Sequence, residues 1–224
     1  NVRDRDVAAT LSLAGVSATT QVVAYDDSGG MFACRLWWLL RWLGHDQVAV
    51  LDGGLARWLA NGRPLTSDPP RSSPGVMTVA QRDWVVSGDE VLADLPVGRF
   101  CLVDARSPDR FRGENETLDR VGGHIPGALN LAAVRETHSD GSFKSWRVPT
   151  VRPDGTFKAV ADLQALCTDL CLLPERTIIT YCVRGGLSTH AWFVLTQLPG
   201  YPHVREYDRS WAEWGNLAAM PIEV

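Results

Sequence analysis

The chain has 224 residues, 45% of them hydrophobic and 21% charged, which gives enough apolar mass for a sizeable core in one large or two small domains. A formal net charge of −4 and a pI near 5.7 exclude a general nucleic-acid or membrane-surface binder. The longest apolar run, 36–43, is too short for a membrane span and is broken by Arg41, so no membrane partner is expected.

In chain order, Asp6–Leu13 reads as an amphipathic helix, Gln21–Tyr25 as a short β-branched strand, and Asp26–Gly30 as a polar loop. Met31–Leu43 reads as an apolar helix closed by Gly44, Gln47–Leu51 as a strand, and Leu55–Ala60 as a short helix. The stretch Asn61–Gly75 holds four prolines and three serines and reads as an inter-domain linker. Beyond it a helix is expected at Val85–Leu95, a strand at Arg99–Asp104, and a long polar loop at Asp104–Gly127. Helices are expected at Phe157–Leu170 and Ser188–Leu198, strands at Thr177–Tyr181 and His203–Tyr207, and a terminal helical turn at Trp211–Gly215. Alternating strands and helices predict an α/β protein with parallel sheets.

The chain repeats itself. An offset of 156 positions lays Asp6–Trp58 on Asp162–Trp214 without a gap, matching Tyr25 to Tyr181, both glycine pairs, and Trp58 to Trp214. One fold used twice follows from such a match. The first copy has no counterpart of about 76–160, and the chain begins without Met. A fragment, or a degenerate first copy with unpaired strands and exposed apolar surface, is therefore expected. The domain division expected is 1–62 (partial, non-catalytic), 63–78 (linker) and 79–224 (complete).

Within the match, Asp26 meets Cys182, so the chemistry points to the second copy. The loop Cys182-Val183-Arg184-Gly185-Gly186-Leu187-Ser188 lies between a strand and a helix. There, unpaired N–H groups and the positive helix end stabilise a thiolate and an anion beside it. Arg184 adds a fixed charge. The remaining cysteines, Cys34, Cys101, Cys167 and Cys171, fit a reduced cytoplasmic protein; Cys167 and Cys171 read as core thiols on one helix, with no metal set around them. Trp37, Trp38 and Trp42 read as core and inter-domain packing.

Four segments carry a family resemblance: Leu102-Val-Asp-Ala-Arg106 with Arg110-Phe-Arg-Gly-Glu114, Gly123-His-Ile-Pro-Gly-Ala128, Tyr181–Ser188, and Glu206-Tyr-Asp-Arg-Ser-Trp-Ala-Glu-Trp214. Together they resemble the tandem rhodanese family of thiosulfate and 3-mercaptopyruvate sulfurtransferases. The first half resembles its inactive N-terminal domain, with Asp26 at the cysteine position. The resemblance implies a cytoplasmic monomer of two rhodanese-like domains, the first incomplete, in which the Cys182 thiolate takes sulfane sulfur from a small anionic donor. A persulfide forms and is passed to cyanide or a thiol, with no metal or organic cofactor. Arg184, Gly185, Gly186, Leu187, Ser188 and Arg110 are implied for substrate binding, and Asp104, Arg106, His124 and Asp208 for structure or orientation. An alternative partner for Arg110 is Glu114.

Two positions depart from the family pattern. Val183 follows the cysteine where thiosulfate enzymes usually carry a basic residue, and Arg209 stands where the closing motif usually has Gly. The loop does not match the mercaptopyruvate pattern either, and a single loop cation favours the thiosulfate dianion. A cysteine phosphatase requires Arg where this chain has Ser188. A non-catalytic anion-binding or regulatory module is the other reading, and retention of Cys182 weighs against it.

Overall fold

The computed structural model of the protein describes residues 4–69 and 72–224. The first repeat comprises α1 (Asp4–Leu13), β1 (Val22–Ala24), α2 (Met31–Trp42), β2 (Val48–Val50) and α3 (Gly54–Ala60). There follow α4 (Gly88–Asp94), β3 (Phe100–Asp104), α5 (Pro108–Phe111), β4 (Leu129–Asn130), β5 (Val134–Thr137) and β6 (Phe143–Arg147). The chain ends with α6 (Val160–Asp169), β7 (Thr177–Tyr181), α7 (Gly186–Gln197), β8 (Val204–Glu206) and α8 (Ser210–Trp214).

Strands β4, β3, β7 and β8 form a parallel sheet in that order, β1 and β2 a two-stranded parallel sheet, and β5 and β6 an antiparallel hairpin. β3 and β7 are central, and four of the five residues in each are buried, as in a sheet covered on both faces. The duplication extends to hydrogen-bond register. Val22 pairs with Val48, and 156 positions on Ile178 pairs with Val204; Ala24 pairs with Val50, and Thr180 with Glu206. In the first repeat Val23 and Tyr25 stay exposed, at 54% and 60%.

The two repeats share one core through α2 and α7. Both helices are apolar on more than one face, so each is covered on several sides. Trp37 meets Phe193 edge-on at 4.9 Å and Trp192 at 6.0 Å, Trp84 lies 4.5 Å from Trp192, and Trp38 stacks on Trp42. Such aromatic pairs add about 0.5–1.5 kcal/mol each beyond their buried area. From Gly75 onward the segment leading to α4 is pinned to the rest of the fold. Gly75 N–H donates to Ser12 O, Ala80 N–H to Leu43 O, and Val86 N–H to Glu206 O.

Several boundaries differ from the sequence reading. α4 starts at Gly88 because Ser87 and Glu90 form a reciprocal capping box, and Val85 instead bridges Glu206 alongside β8. The expected polar loop 104–127 contains α5. The helix expected from Phe157 begins at Val160, and α7 begins two residues early, at Gly186. The β5–β6 hairpin was not anticipated. Cys171 is not a core thiol: α6 ends at Asp169, and Cys171 sits exposed at φ 55°, while Cys167 is buried.

Candidate active site

Cys182 stands one residue beyond β7, at the carboxyl end of a central parallel strand and just before α7. In open α/β sheets this edge is where ligands bind. Cys182 is 1% exposed. The start of α8 fixes the loop: Trp211 and Ala212 N–H groups donate to the carbonyls of Cys182 and Val183 at 3.0 Å, and Cys182 N–H donates to Ser210 Oγ at 3.0 Å. Ser210 sits in the left-handed region, φ 55°, and its hydroxyl donates to Tyr207 O at 2.9 Å.

Gly185 turns the loop at φ 77°, and a Cβ there would lie 2.3 Å from Asp208 Oδ1 and 3.1 Å from Arg35 Nη1. Both neighbours clamp the loop. Arg35, on α2 of the first repeat, donates to Gly185 O at 3.0 Å and pairs with Asp208 at 2.7 Å. Asp208 thus lies directly against the loop. Its counterpart Asp52 also reaches into the other repeat, accepting the Phe157 N–H at 2.8 Å.

The first repeat displays what such a loop does to an anion. Asp26 occupies the cysteine position, and its carboxylate accepts N–H bonds from Ser28 and Gly30 on Oδ1 at 2.9 Å. Phe32 and Ala33 donate to Oδ2 at 2.8 and 2.9 Å. The corresponding positions around Cys182 are Arg184, Gly186, Ser188 and Thr189. Ser188 and Thr189 lie in the first turn of α7, whose N–H groups have no partner within the helix.

Beneath the thiol is a buried polar chain. Ser188 Oγ lies 3.4 Å from Cys182 Sγ and donates to Glu206 Oε1. Thr180 Oγ1 donates to Glu206 Oε2. Glu206 is fully buried, and burial pushes its carboxyl up to about 8 despite the Ser188 and Thr180 bonds that favour its charge.

Arg184 is exposed at the mouth. With Asp208, Arg209, Glu213 and Asn216 it lines a cleft of about 420 Å³ beside the loop. Arg209 has helical φ −70°, so replacing the family's usual Gly costs no strain there; its guanidinium pairs with Glu213 at 2.8 Å. Gly186 opens α7 with free space over its Cα, and Leu187 packs with the small cluster of Met31, Ala133 and Val148.

Asp104 and Arg106 are both fully buried. Arg106 Nη2 donates to Asp104 Oδ2 at 2.7 Å, and its guanidinium lies 4.1 Å over the Trp211 ring. Arg110 does not pair with Glu114, which is bound by Arg112 at 2.8 Å; it faces Glu116 at 3.6 Å and Thr117 at 3.4 Å. His124 stacks on Phe111 at 3.7 Å, and its Nδ1 hydrogen-bonds Phe111 O at 2.8 Å. Among the described residues no three His, Cys, Asp or Glu side chains gather as a metal site.

Sequence reasoning missed Arg35, Glu206 and Ser210. Glu206 and Ser210 lay inside a motif that had been recognised only as a pattern. Arg35 reaches the site from the other repeat, so no local spacing announces it.

The sequence model of the family described as Rhodanese-like domain matches residues 2–61 and 87–217. The Thermus thermophilus protein named "Sulfur carrier protein TtuD" is 37% identical over 226 residues, covering 99% of this chain and 77% of that protein. The Mycobacterium bovis protein named "Putative thiosulfate sulfurtransferase 1" is 36% identical over 224 residues, covering 96% of this chain and 75% of that protein. Among solved structures, a double-variant EanB complex with hercynine superposes with a TM-score of 0.84 at 26% identity; it covers all of this chain and 55% of its own, so this chain spans just over half of it. No helix among the described residues is long and apolar enough to cross a membrane.

Proposed function

The chain belongs to the rhodanese family, and on that premise we propose that it is a sulfurtransferase carrying sulfane sulfur on Cys182. The Cys182 thiolate attacks the outer sulfur of thiosulfate. A new S–S bond forms, the donor's S–S bond breaks, and sulfite leaves with the electron pair. A thiol or cyanide then attacks the outer sulfur of the persulfide, and the Cys182 thiolate leaves. The relative named a sulfur carrier supports a reading in which the sulfur is held on the protein.

The observation that carries this reading is the Asp26 cradle. A cysteine persulfide places its two sulfurs where an aspartate places its carboxyl carbon and one oxygen. The N–H groups that hold the Asp26 oxygens have counterparts at Arg184, Gly186, Ser188 and Thr189, and in this reading those hold the terminal sulfur. Thiosulfate is favoured because Arg184, which has no ion-pair partner among the described residues, lines the adjoining cleft, and a dianion gains from its charge.

In this reading residues 1–62 form the non-catalytic repeat, 63–78 the connection and 79–224 the catalytic domain. Gly185 and Gly186 shape the loop, and Leu187 anchors it on the apolar cluster. Asp104, Arg106 and His124 brace the sheet end and the turn, Asp208 orients the loop, and Arg110, held beside Glu116, supplies a further cation for the donor. The test is thiocyanate formation from thiosulfate and cyanide: the wild type turns over and Cys182→Ser does not. Turnover retained by the serine variant removes Cys182 from the reaction.

A further inference from the structure

The Ser188 hydroxyl has one proton and two acceptors. One is Glu206 Oε1, the other Cys182 Sγ at 3.4 Å, and all three groups are sealed from solvent. When the proton points to a Glu206 carboxylate, the sulfur has no donor from Ser188 and is satisfied as a thiol. When the sulfur is a thiolate, the Ser188 proton belongs on it, and Glu206 is satisfied only by carrying a proton itself. The three groups thus have two self-consistent arrangements that differ by one proton moved between sulfur and carboxylate.

Building on the sulfurtransferase reading, we propose that Glu206 is the buried proton partner of Cys182, exchanging the thiol proton through the Ser188 hydroxyl. Ser188 Oγ accepts the proton from Cys182 as it passes its own to Glu206 Oε1, giving thiolate and neutral carboxyl with no other bond changed. The proton returns by the same route when the cysteine goes back to a resting thiol. Glu206 acts through Ser188 and touches no substrate, so it is a positioning residue with a proton-holding role.

The surroundings suit this exchange. Burial raises the Glu206 carboxyl to about 8, which lets it take up and hold a proton near neutral pH. The charged groups facing Glu206 are Asp208, from the turn after β8, and Arg35, from α2; they pair with each other at 2.7 Å, and their effects on Glu206 oppose. From β7 it meets the Thr180 hydroxyl, from α7 Ser188, and from the segment before α4 the Trp84 carbonyl, which accepts its backbone N–H at 2.7 Å. No lysine or arginine bonds its carboxyl among the described residues, so its proton is its means of neutralisation.

The test is the ultraviolet titration of the Cys182 thiolate, taken as the difference between each protein and its Cys182→Ser counterpart. In the wild type, coupling to Glu206 spreads the titration over more than the about two pH units of an isolated group. Glu206→Gln narrows it to a single step and lowers its midpoint by about one unit, because no anion then forms below the sulfur. Ser188→Ala raises the midpoint, because the thiolate loses its donor. A purely structural role does not give opposite shifts. In turnover, each variant loses on the order of tenfold in kcat, and the double variant loses no more than the worse single, since both act in one chain.

A folded Glu206→Gln protein with the wild-type midpoint and width overturns the proposal, as does a double variant whose loss is the product of the two. If Glu206→Gln does not fold, an unshifted Ser188→Ala titration overturns it. The titration needs no sulfur donor. A wild type that titrates as described but forms no persulfide would therefore count against the sulfurtransferase reading and leave the proton exchange standing.

Discussion

Arg35 of the first repeat donates a hydrogen bond to the Gly185 carbonyl of the second, at 3.0 Å, and so ties the repeat without the cysteine to the loop that carries it. The same guanidinium holds Asp208 at 2.7 Å, with both side chains mostly shielded from solvent. Arg35→Ala leaves Asp208 and a loop carbonyl without that partner, a loss of about 1–2 kcal/mol. If the loop must be held for sulfur transfer, kcat/KM falls on the order of tenfold, while the thermal midpoint falls by only about 2–8 °C. Arg35→Lys recovers part of it: both contacts come from the one nitrogen Nη1, and an ammonium keeps the charge but not the planar guanidinium geometry. Steady-state rates beside thermal melts check this.

Asp26 gives the second prediction. Its four N–H partners make it a structural keystone of the first repeat. Asp26→Ala strands them and destabilises the protein by about 2–3 kcal/mol, read as a lower denaturant midpoint at unchanged slope. Asp26→Asn, which keeps one carbonyl acceptor, loses less. The reciprocal change Cys182→Asp yields a folded, inactive protein whose carboxylate takes the place expected of the persulfide.

The third concerns pH. Burial raises the Glu206 carboxyl to about 8 in the folded protein, against about 4.5 when unfolded. Between those values the folded state binds more protons than the unfolded one, so this group's contribution falls as pH rises through that window. Glu206→Gln removes that dependence. The Tm difference, variant minus wild type, is therefore larger at pH 8 than at pH 5. His190 works in the opposite sense: burial lowers it to about 4, so its contribution falls as pH drops from about 6.5 toward 4. Melts of both proteins across pH 4–8 separate the two.

The fourth concerns the donor. Arg184 is exposed at the mouth and has no ion-pair partner among the described residues, whereas Arg209 is paired with Glu213. Arg184→Ala raises KM for thiosulfate about tenfold and flattens its dependence on ionic strength, with kcat changed less. Arg209→Ala has a smaller effect on both. Rates measured across a salt series decide it.

The sequence made the architecture legible because duplication supplied its own alignment: glycines, Tyr25 with Tyr181 and Trp58 with Trp214 set a register that the strand pairings keep. The cysteine loop was legible for the same reason. Arg35 was hidden because its partners are 150 and more positions away, and its own helix reads as simple apolar packing. Glu206 was hidden because a carboxylate at the end of a three-residue strand looks solvent-facing; only the contacts of α7 and the Trp84 segment bury it. The β5–β6 hairpin was missed because its residues lack a clean alternation of apolar and polar side chains.

The most direct measurement is the intact mass of wild type and Cys182→Ala after incubation with thiosulfate, with 3-mercaptopyruvate as a second donor. The account predicts a gain of one sulfur atom in the wild type, reversed by cyanide and absent from the variant. A folded wild-type protein that gains no sulfur from either donor, or a variant that gains it equally, would contradict the account.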